Sequence, residues 1–271
     1  MPQILTRRTA GQLPPSGDII PLQDSVLYGP IHSRRLGESL GINLLPLTFK
    51  LCSFNCVYCQ YGWTTNRNEK GEKLLSANEI IQTARMQLQE FREKETRVDC
   101  MTLAGNGEPT LHPQLGKIIR GLIRLRDEFY PNAALGILSD SHLVHRPGVR
   151  DALSLLDHRY MKLDAGTPEM LYEVNKPLVK VDWEAMIEGL RLLEDTILQS
   201  LFISGVVDNT PPEMIDAWIA TVQRIAPMEV QVYTVSRGTA DARVRKVSHK
   251  RLKEIAALLT KRTGIPASVH E

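Results

Sequence analysis

Apolar positions along this chain fall into two alternating periods. Short apolar runs at 40–45, 98–104, 133–138, 160–163, 201–207 and 230–235 predict strands. Between them lie segments with apolar residues at i, i+3 and i+4, clearest in 115–129, where Leu115, Ile118, Ile119, Leu122 and Leu125 share one face. Helices are predicted there and at 76–93, 147–156, 168–174, 183–193, 211–225 and 250–261. The first opens on Ser76-Ala-Asn-Glu79, the spacing of a capping box. Pro147 suits the first turn of its helix. A last apolar run at 267–270 could add a final strand.

Strands alternating with helices predict one parallel sheet with right-handed crossovers, six strands in all. Periodicity does not separate an open doubly wound sheet from a barrel. In both, ligands gather at the carboxyl ends of the strands. Residues 1–26 read as an irregular, Pro- and Gly-containing lead-in, and Arg34 and Arg35 as its salt-bridged end. No low-complexity linker interrupts the remainder, so residues 1–271 are read as one domain.

Composition adds exclusions. The 33 basic and 31 acidic residues leave a formal charge of +2, too little for a global pull toward nucleic acid or membrane. The basic stretch Arg243, Arg245, Lys246, His249, Lys250, Arg251 and Lys253 lacks interleaved aromatics and reads first as a solvated face. No apolar run reaches the roughly 18 residues that span a bilayer, and the N-terminus lacks the apolar core of a signal peptide. A cytoplasmic protein without a membrane anchor is therefore expected. Three of the four cysteines crowd into eight positions, which in a reducing compartment suggests a metal site rather than disulfides.

That cluster is Cys52-Ser-Phe-Asn-Cys56-Val-Tyr-Cys59, a C-x3-C-x2-C spacing on the loop 50–65 after the first predicted strand. At about 3.3–3.6 Å per extended residue, three thiolates this close can wrap one small cofactor. A structural zinc site or a fully ligated iron–sulfur cluster wants four protein ligands. Cys100 lies inside the second predicted strand and reads as core filler. Three thiolates on four irons leave one iron open. Lys162 and Asp164 share a face by alternation, and a charged pair in a central parallel strand is costly to bury without a purpose. His112 and His142 read as loop polar residues.

The triple, with Tyr58 before its last cysteine, resembles the signature of the radical S-adenosyl-L-methionine (SAM) superfamily. Gly105-Asn106-Gly107-Glu108-Pro, after the second predicted strand, is similar to the segment that binds the SAM amino group there. Tyr28-Gly-Pro-Ile-His-Ser-Arg34-Arg35-Leu-Gly37, Leu40 to Pro46, Phe54 to Gly62, Lys162-Leu-Asp164-Ala-Gly, Asn175-Lys-Pro177 and Gln231 to Arg237 resemble its wyosine-synthase-related branch.

The resemblance implies a partial (β/α)6 barrel, six parallel strands with helices outside. It implies a 4Fe-4S cluster on Cys52, Cys56 and Cys59, SAM on the open iron, and a 5′-deoxyadenosyl radical that takes hydrogen from a substrate. Glu108 would take the SAM ammonium, with Asn106 and Gly107 beside it, and Tyr58 would lie by the adenine. Ser139 and Asp140 would meet the SAM carboxylate or ribose. Lys162, Asp164, Tyr233 and Arg237 are the catalytic candidates, with Asn209 a further substrate candidate. Characterised members of the branch modify a tRNA base using a second cluster. Here no cysteine precedes Cys52 and Cys100 stands alone, so that reaction is not expected, while an RNA or nucleoside substrate is. No flavodoxin-like domain is expected, so electrons would come from a separate flavodoxin or ferredoxin. The alternatives are a glycyl-radical-type activating enzyme and a non-catalytic iron–sulfur carrier. A structural zinc module would want paired C-x2-C hooks.

Overall fold

Strand alternation sorts the side chains of this protein onto two unlike faces. In the computed structural model, which describes residues 19–33, 36–65, 68–69 and 71–270, Cys100–Leu103 (β3) sends Met101 and Leu103 into the main apolar core. Thr102, between them, instead meets the Ser39 hydroxyl at 3.0 Å and the Cys100 thiol at 3.5 Å. The other parallel strands are Gly37–Ile42 (β2), Ala134–Ser139 (β4), His158–Lys162 (β5), Thr196–Leu201 (β6), Glu229–Tyr233 (β8) and Ala267–His270 (β10). The sheet runs β1-β2-β3-β4-β5-β6-β8-β10, where β1 is Leu27–Ser33, antiparallel to β2. β1 and β10 are its two edges, so the curled sheet remains an open half-barrel.

The helices pack on the outer face: Ala77–Glu93 (α1), Leu115–Phe129 (α2), Pro147–Leu153 (α3), Pro168–Val174 (α4), Trp183–Arg191 (α5), Pro212–Ile225 (α6) and His249–Thr263 (α7). The box at the start of α1 forms: Glu79 N–H donates to Ser76 Oγ at 3.3 Å, and Ser76 N–H to the Glu79 carboxylate at 2.7 Å. α6 buries Trp218, whose indole N–H donates to Ser200 Oγ at 3.0 Å. Ile203–Gly205 (β7) and Val244–Lys246 (β9) make a small antiparallel ribbon beyond the end of β6. Among the described residues no helix is long and apolar enough to cross a membrane.

Three expectations change. The parallel strands number seven rather than six, because β10 pairs with β8. The fifth strand is 196–201, not 201–207. Gln199 and Ser200 hide it from a hydrophobicity reading, yet both are buried because Gln199 bonds Gln231 at 3.0 Å and Ser200 bonds the Leu163 carbonyl at 2.6 Å. β1 was not expected at all: Pro30 and several exposed positions disguise it, and an edge strand tolerates both. Arg34 and Arg35 lie outside the described residues, as do residues 1–18 of the lead-in.

Candidate functional site

The cysteine loop leaves the carboxyl end of β2 and is tied to the ends of several later strands. Leu51 N–H donates to the Asn106 carbonyl at 2.9 Å, and Glu108 N–H returns to the Leu51 carbonyl at 3.0 Å. A Cβ on Gly107 would stand 1.6 Å from the Leu51 oxygen. Only glycine, here at φ +142°, lets the two backbones meet so closely. Val57 N–H donates to the Val174 carbonyl at 3.0 Å, and Asp241 N–H to the Val57 carbonyl at 2.9 Å. Phe54 and Val57, two of the residues between the cysteines, are buried and pin the loop to the body.

Two of the sulfurs receive donors from outside the triple. The Lys50 ammonium lies 3.0 Å from Cys59 Sγ, and the Asn175 amide donates to Cys56 Sγ at 3.4 Å. Burial pushes the Cys52 thiol well up, with the Asp140 charge adding to it, and pushes Cys56 up to about 11, with Cys59 adding to it. No three described His, Cys, Asp or Glu side chains converge on one metal ion.

Beside the thiols sit two carboxylates. Glu108 is 2% exposed and takes Thr110 N–H, Thr110 Oγ and Ser139 Oγ on Oε1, at 2.9, 2.6 and 2.9 Å. Its Oε2 accepts Asp140 N–H, at 2.6 Å. Asp140 accepts from Ser53 Oγ at 2.7 Å, and the Cys52 thiol lies 3.9 Å from the same oxygen. Burial raises both acids, and Glu108 raises Asp140 further. Among the described residues no basic side chain forms a salt bridge with either.

A third group lies beside Cys56, joined to it through the Asn175 amide. Lys162 Nζ is 3.1 Å from Asp164 Oδ1 and 2.6 Å from the Tyr233 hydroxyl, and it sits 4.8 and 4.9 Å from the ring centres of Tyr58 and Tyr233. Asp164 also accepts Leu201 N–H at 2.9 Å, the Asn175 amide at 2.8 Å and the Tyr58 hydroxyl. Burial works to lower the Lys162 ammonium, but Asp164 and then Tyr233 overcome it, and the net shift is upward. Arg237 is exposed and donates to Gln60 at 3.2 Å, which carries it to the rim of the cysteine loop.

The family model of the radical SAM superfamily matches residues 47–221, a span that holds the triple, Glu108 and the Lys162–Asp164 pair. The chain belongs to the radical SAM superfamily. A UPF0026 protein of Synechocystis is 31% identical to it, across 78% of this chain and 76% of that one. A Brachyspira hyodysenteriae protein named GTPase Obg is 29% identical across 86% of this chain, which spans only 33% of that protein's length. Among solved structures, a radical SAM methyltransferase from Sphaerobacter thermophilus superposes with a TM-score of 0.63 at 17% identity, over 86% of this chain and 65% of that one. TYW1 with a lysine-pyruvate adduct bound gives 0.57 at 15%, over 83% and 74%. At these identities the likeness is one of fold.

Radical SAM enzymes use a 4Fe-4S cluster and SAM, and the residues present fit both groups. The donors on the Cys56 and Cys59 sulfurs suit thiolate charge. The carboxylate pair, which no basic side chain among the described residues neutralises, suits an ammonium. Among the described residues the buried Asn175 Oδ1 has no hydrogen-bond partner. Cys100 sits at the start of β3, the opposite end of the strand from the loop, and bonds Thr102.

Asn106, expected beside the SAM ammonium, and Asn209, expected as a substrate candidate, both make hydrogen bonds within the fold. Asn106 spends its amide on the Gln23 and Pro46 carbonyls, at 2.9 and 2.8 Å, and its oxygen on Gln23 N–H at 2.7 Å. It fastens the lead-in across the turn, and Gly107 contributes a backbone approach. Asn209 is buried, with its amide donating to Asp164 O and Leu201 O and its oxygen accepting Ile203 N–H. Sequence reasoning missed Lys50, Ser53 and Asn175 as contacts of the site. Lys50 lies two positions before Cys52 and Ser53 one after it, so proximity to the triple was the available signal.

Proposed function

We propose that this chain is a radical SAM enzyme that acts on an RNA base or nucleoside. The observation that carries the catalytic half is the meeting of the three-thiol loop with the Glu108–Asp140 pair, Cys52 Sγ being 3.9 Å from Asp140. When bound, the cluster and SAM supply reductive cleavage of the sulfonium C–S bond and a carbon radical that removes hydrogen from the substrate. The chain holds and orients these groups. Cys52, Cys56 and Cys59 ligate; Glu108 Oε2 takes the SAM ammonium; Ser139 keeps the other Glu108 oxygen occupied, and Asp140 stands beside it.

Asp164 holds the Tyr58 hydroxyl and so fixes that ring as a flat wall for the adenine. Lys162, kept as an ammonium, acts as a fixed cation rather than an amine nucleophile. With Tyr233 it forms the wall on the substrate side, and Arg237 reaches the rim. Exposed Lys176, Arg237, Arg245 and Lys246 give that rim the charge that a phosphate-bearing substrate would seek. A separate flavodoxin or ferredoxin delivers the electron.

The test is anaerobic reconstitution with iron and sulfide, dithionite reduction with SAM, and assay for 5′-deoxyadenosine. Product from the wild type and none from Cys56→Ala is expected. A loaded and demonstrably reduced cluster that never cleaves SAM would turn the reading to an electron carrier.

A further inference from the structure

Lys50 is 6% exposed, and its ammonium is held at two points. It donates to the Gly62 carbonyl at 2.9 Å and to Cys59 Sγ at 3.0 Å. Among the described residues no carboxylate lies within salt-bridge distance of it. A buried cation without an acidic partner is costly, so the sulfur is its electrostatic counterpart. The loop makes this geometry. Gly62 N–H donates to the Cys59 carbonyl at 3.0 Å and Cys59 N–H to the Cys56 carbonyl at 3.1 Å. These two turns fold the last cysteine back beside the residue that precedes the first by two positions. The neutral Asn175 amide does for Cys56 what the charged Lys50 does for Cys59.

We propose that Lys50 is the residue that tunes the reduction potential of the cluster, through a charged hydrogen bond to the Cys59 sulfur. This rests on the cluster reading above. Reduction adds one electron, drawn from the external donor, to a group held by thiolates. A fixed positive charge at hydrogen-bond distance from one of those sulfurs stabilises the reduced form more than the oxidised form. Hydrogen bonds to ligand sulfur and nearby charge are the levers by which a protein moves such potentials. Lys50 therefore raises the potential toward what a flavodoxin or ferredoxin can reach. It touches neither SAM nor substrate in this assignment and acts only through Cys59.

The experiment is an electron paramagnetic resonance redox titration of wild type, Lys50→Arg, Lys50→Gln and Lys50→Met, each loaded to equal iron and sulfide content. In Lys50→Met the reduced-to-oxidised ratio at fixed ambient potential should fall about tenfold, which is about 59 mV for a one-electron couple. Lys50→Arg, which keeps charge and donor, should stay within about threefold of wild type. Lys50→Gln, which keeps a donor alone, should fall between. If Lys50→Met does not load, Lys50→Gln decides. A wild-type potential in a loaded uncharged variant overturns the inference, because a merely structural lysine could leave the cluster in place without moving its potential. A wild type that assembles no four-iron cluster instead overturns the reading on which the inference rests.

Discussion

The Lys162 ammonium and the Asp164 carboxylate, two positions apart at the end of β5, lie 3.1 Å from each other with the aspartate side chain wholly buried. Deleting one partner of such a pair leaves the other charge stranded, at a cost of about 3–5 kcal/mol. Lys162→Met should therefore destabilise the fold by about 3 kcal/mol in urea or heat. The double variant Lys162→Met/Asp164→Leu should lose less than the two single changes added together. Additive losses would mean that the pair is not coupled.

The same pair fixes a pH signature. The folded ammonium is held above its ordinary value by Asp164 and Tyr233. Its stabilising contribution is complete below the free-lysine pKa of about 10.4 and falls away as pH rises through the folded value. The gap between wild type and Lys162→Met should hold steady from about pH 6 to 9 and narrow only in more alkaline solution. A gap that narrows near neutrality would show that Lys162 is not held as an ammonium.

Gly107 and Leu51 pair where the cysteine loop meets the Gly-Asn-Gly-Glu turn. Gly107→Ala adds a Cβ 1.6 Å from the Leu51 oxygen in a backbone region that L residues avoid. Strain and overpacking each cost about 1–3 kcal/mol, so the melting temperature should drop by roughly 5 °C or more. Gly148→Ala, in the first turn of α3 with nothing within 4 Å of its Cβ, should be neutral or stabilising by about 0.4–1 kcal/mol. Equal effects at the two positions would contradict the close approach.

Much of this architecture could be read in advance where one residue type serves one purpose. The capping box of α1, the α2 stripe and the cysteine spacing are local patterns, and the sequence displays them directly. β6 escaped because Gln199 and Ser200 are buried for partners on β8, after β5 and in α6, and no window of neighbours contains those partners. Asn106 misled for the reverse reason. Its place in the motif suggests a ligand, but its hydrogen bonds go to Gln23 and Pro46, far off in the chain. Lys50 and Asn175 were hidden in the same way, since their contacts with sulfur exist only once the loop folds back.

Glu108 accepts four hydrogen bonds, yet three of them fall on Oε1. On the proposed reading Oε2 is the oxygen that takes the SAM ammonium. Glu108→Gln should keep the cluster but weaken SAM at least about tenfold. The readout is the SAM concentration needed to change the electron paramagnetic resonance spectrum of the reduced cluster. Undiminished SAM affinity would remove Glu108 from its assigned role.

The rim supplies the test of substrate class. Arg245 and Lys246 are exposed on β9, paired through the β7 ribbon to the end of β6. Each phosphate contact contributes about 0.7–0.9 to the slope of log affinity against log salt. If both residues meet phosphates, Arg245→Glu/Lys246→Glu should weaken tRNA binding and flatten that slope by about 1.5. SAM cleavage without substrate should be unaffected, because neither side chain is assigned a contact with the cysteine loop. Lys253→Glu on α7 serves as the comparison, since its helix lies on the outer face. An equal loss there would mean diffuse attraction to a basic surface, while no loss at either position would exclude an RNA docked over this rim and leave a small nucleoside as the substrate to pursue.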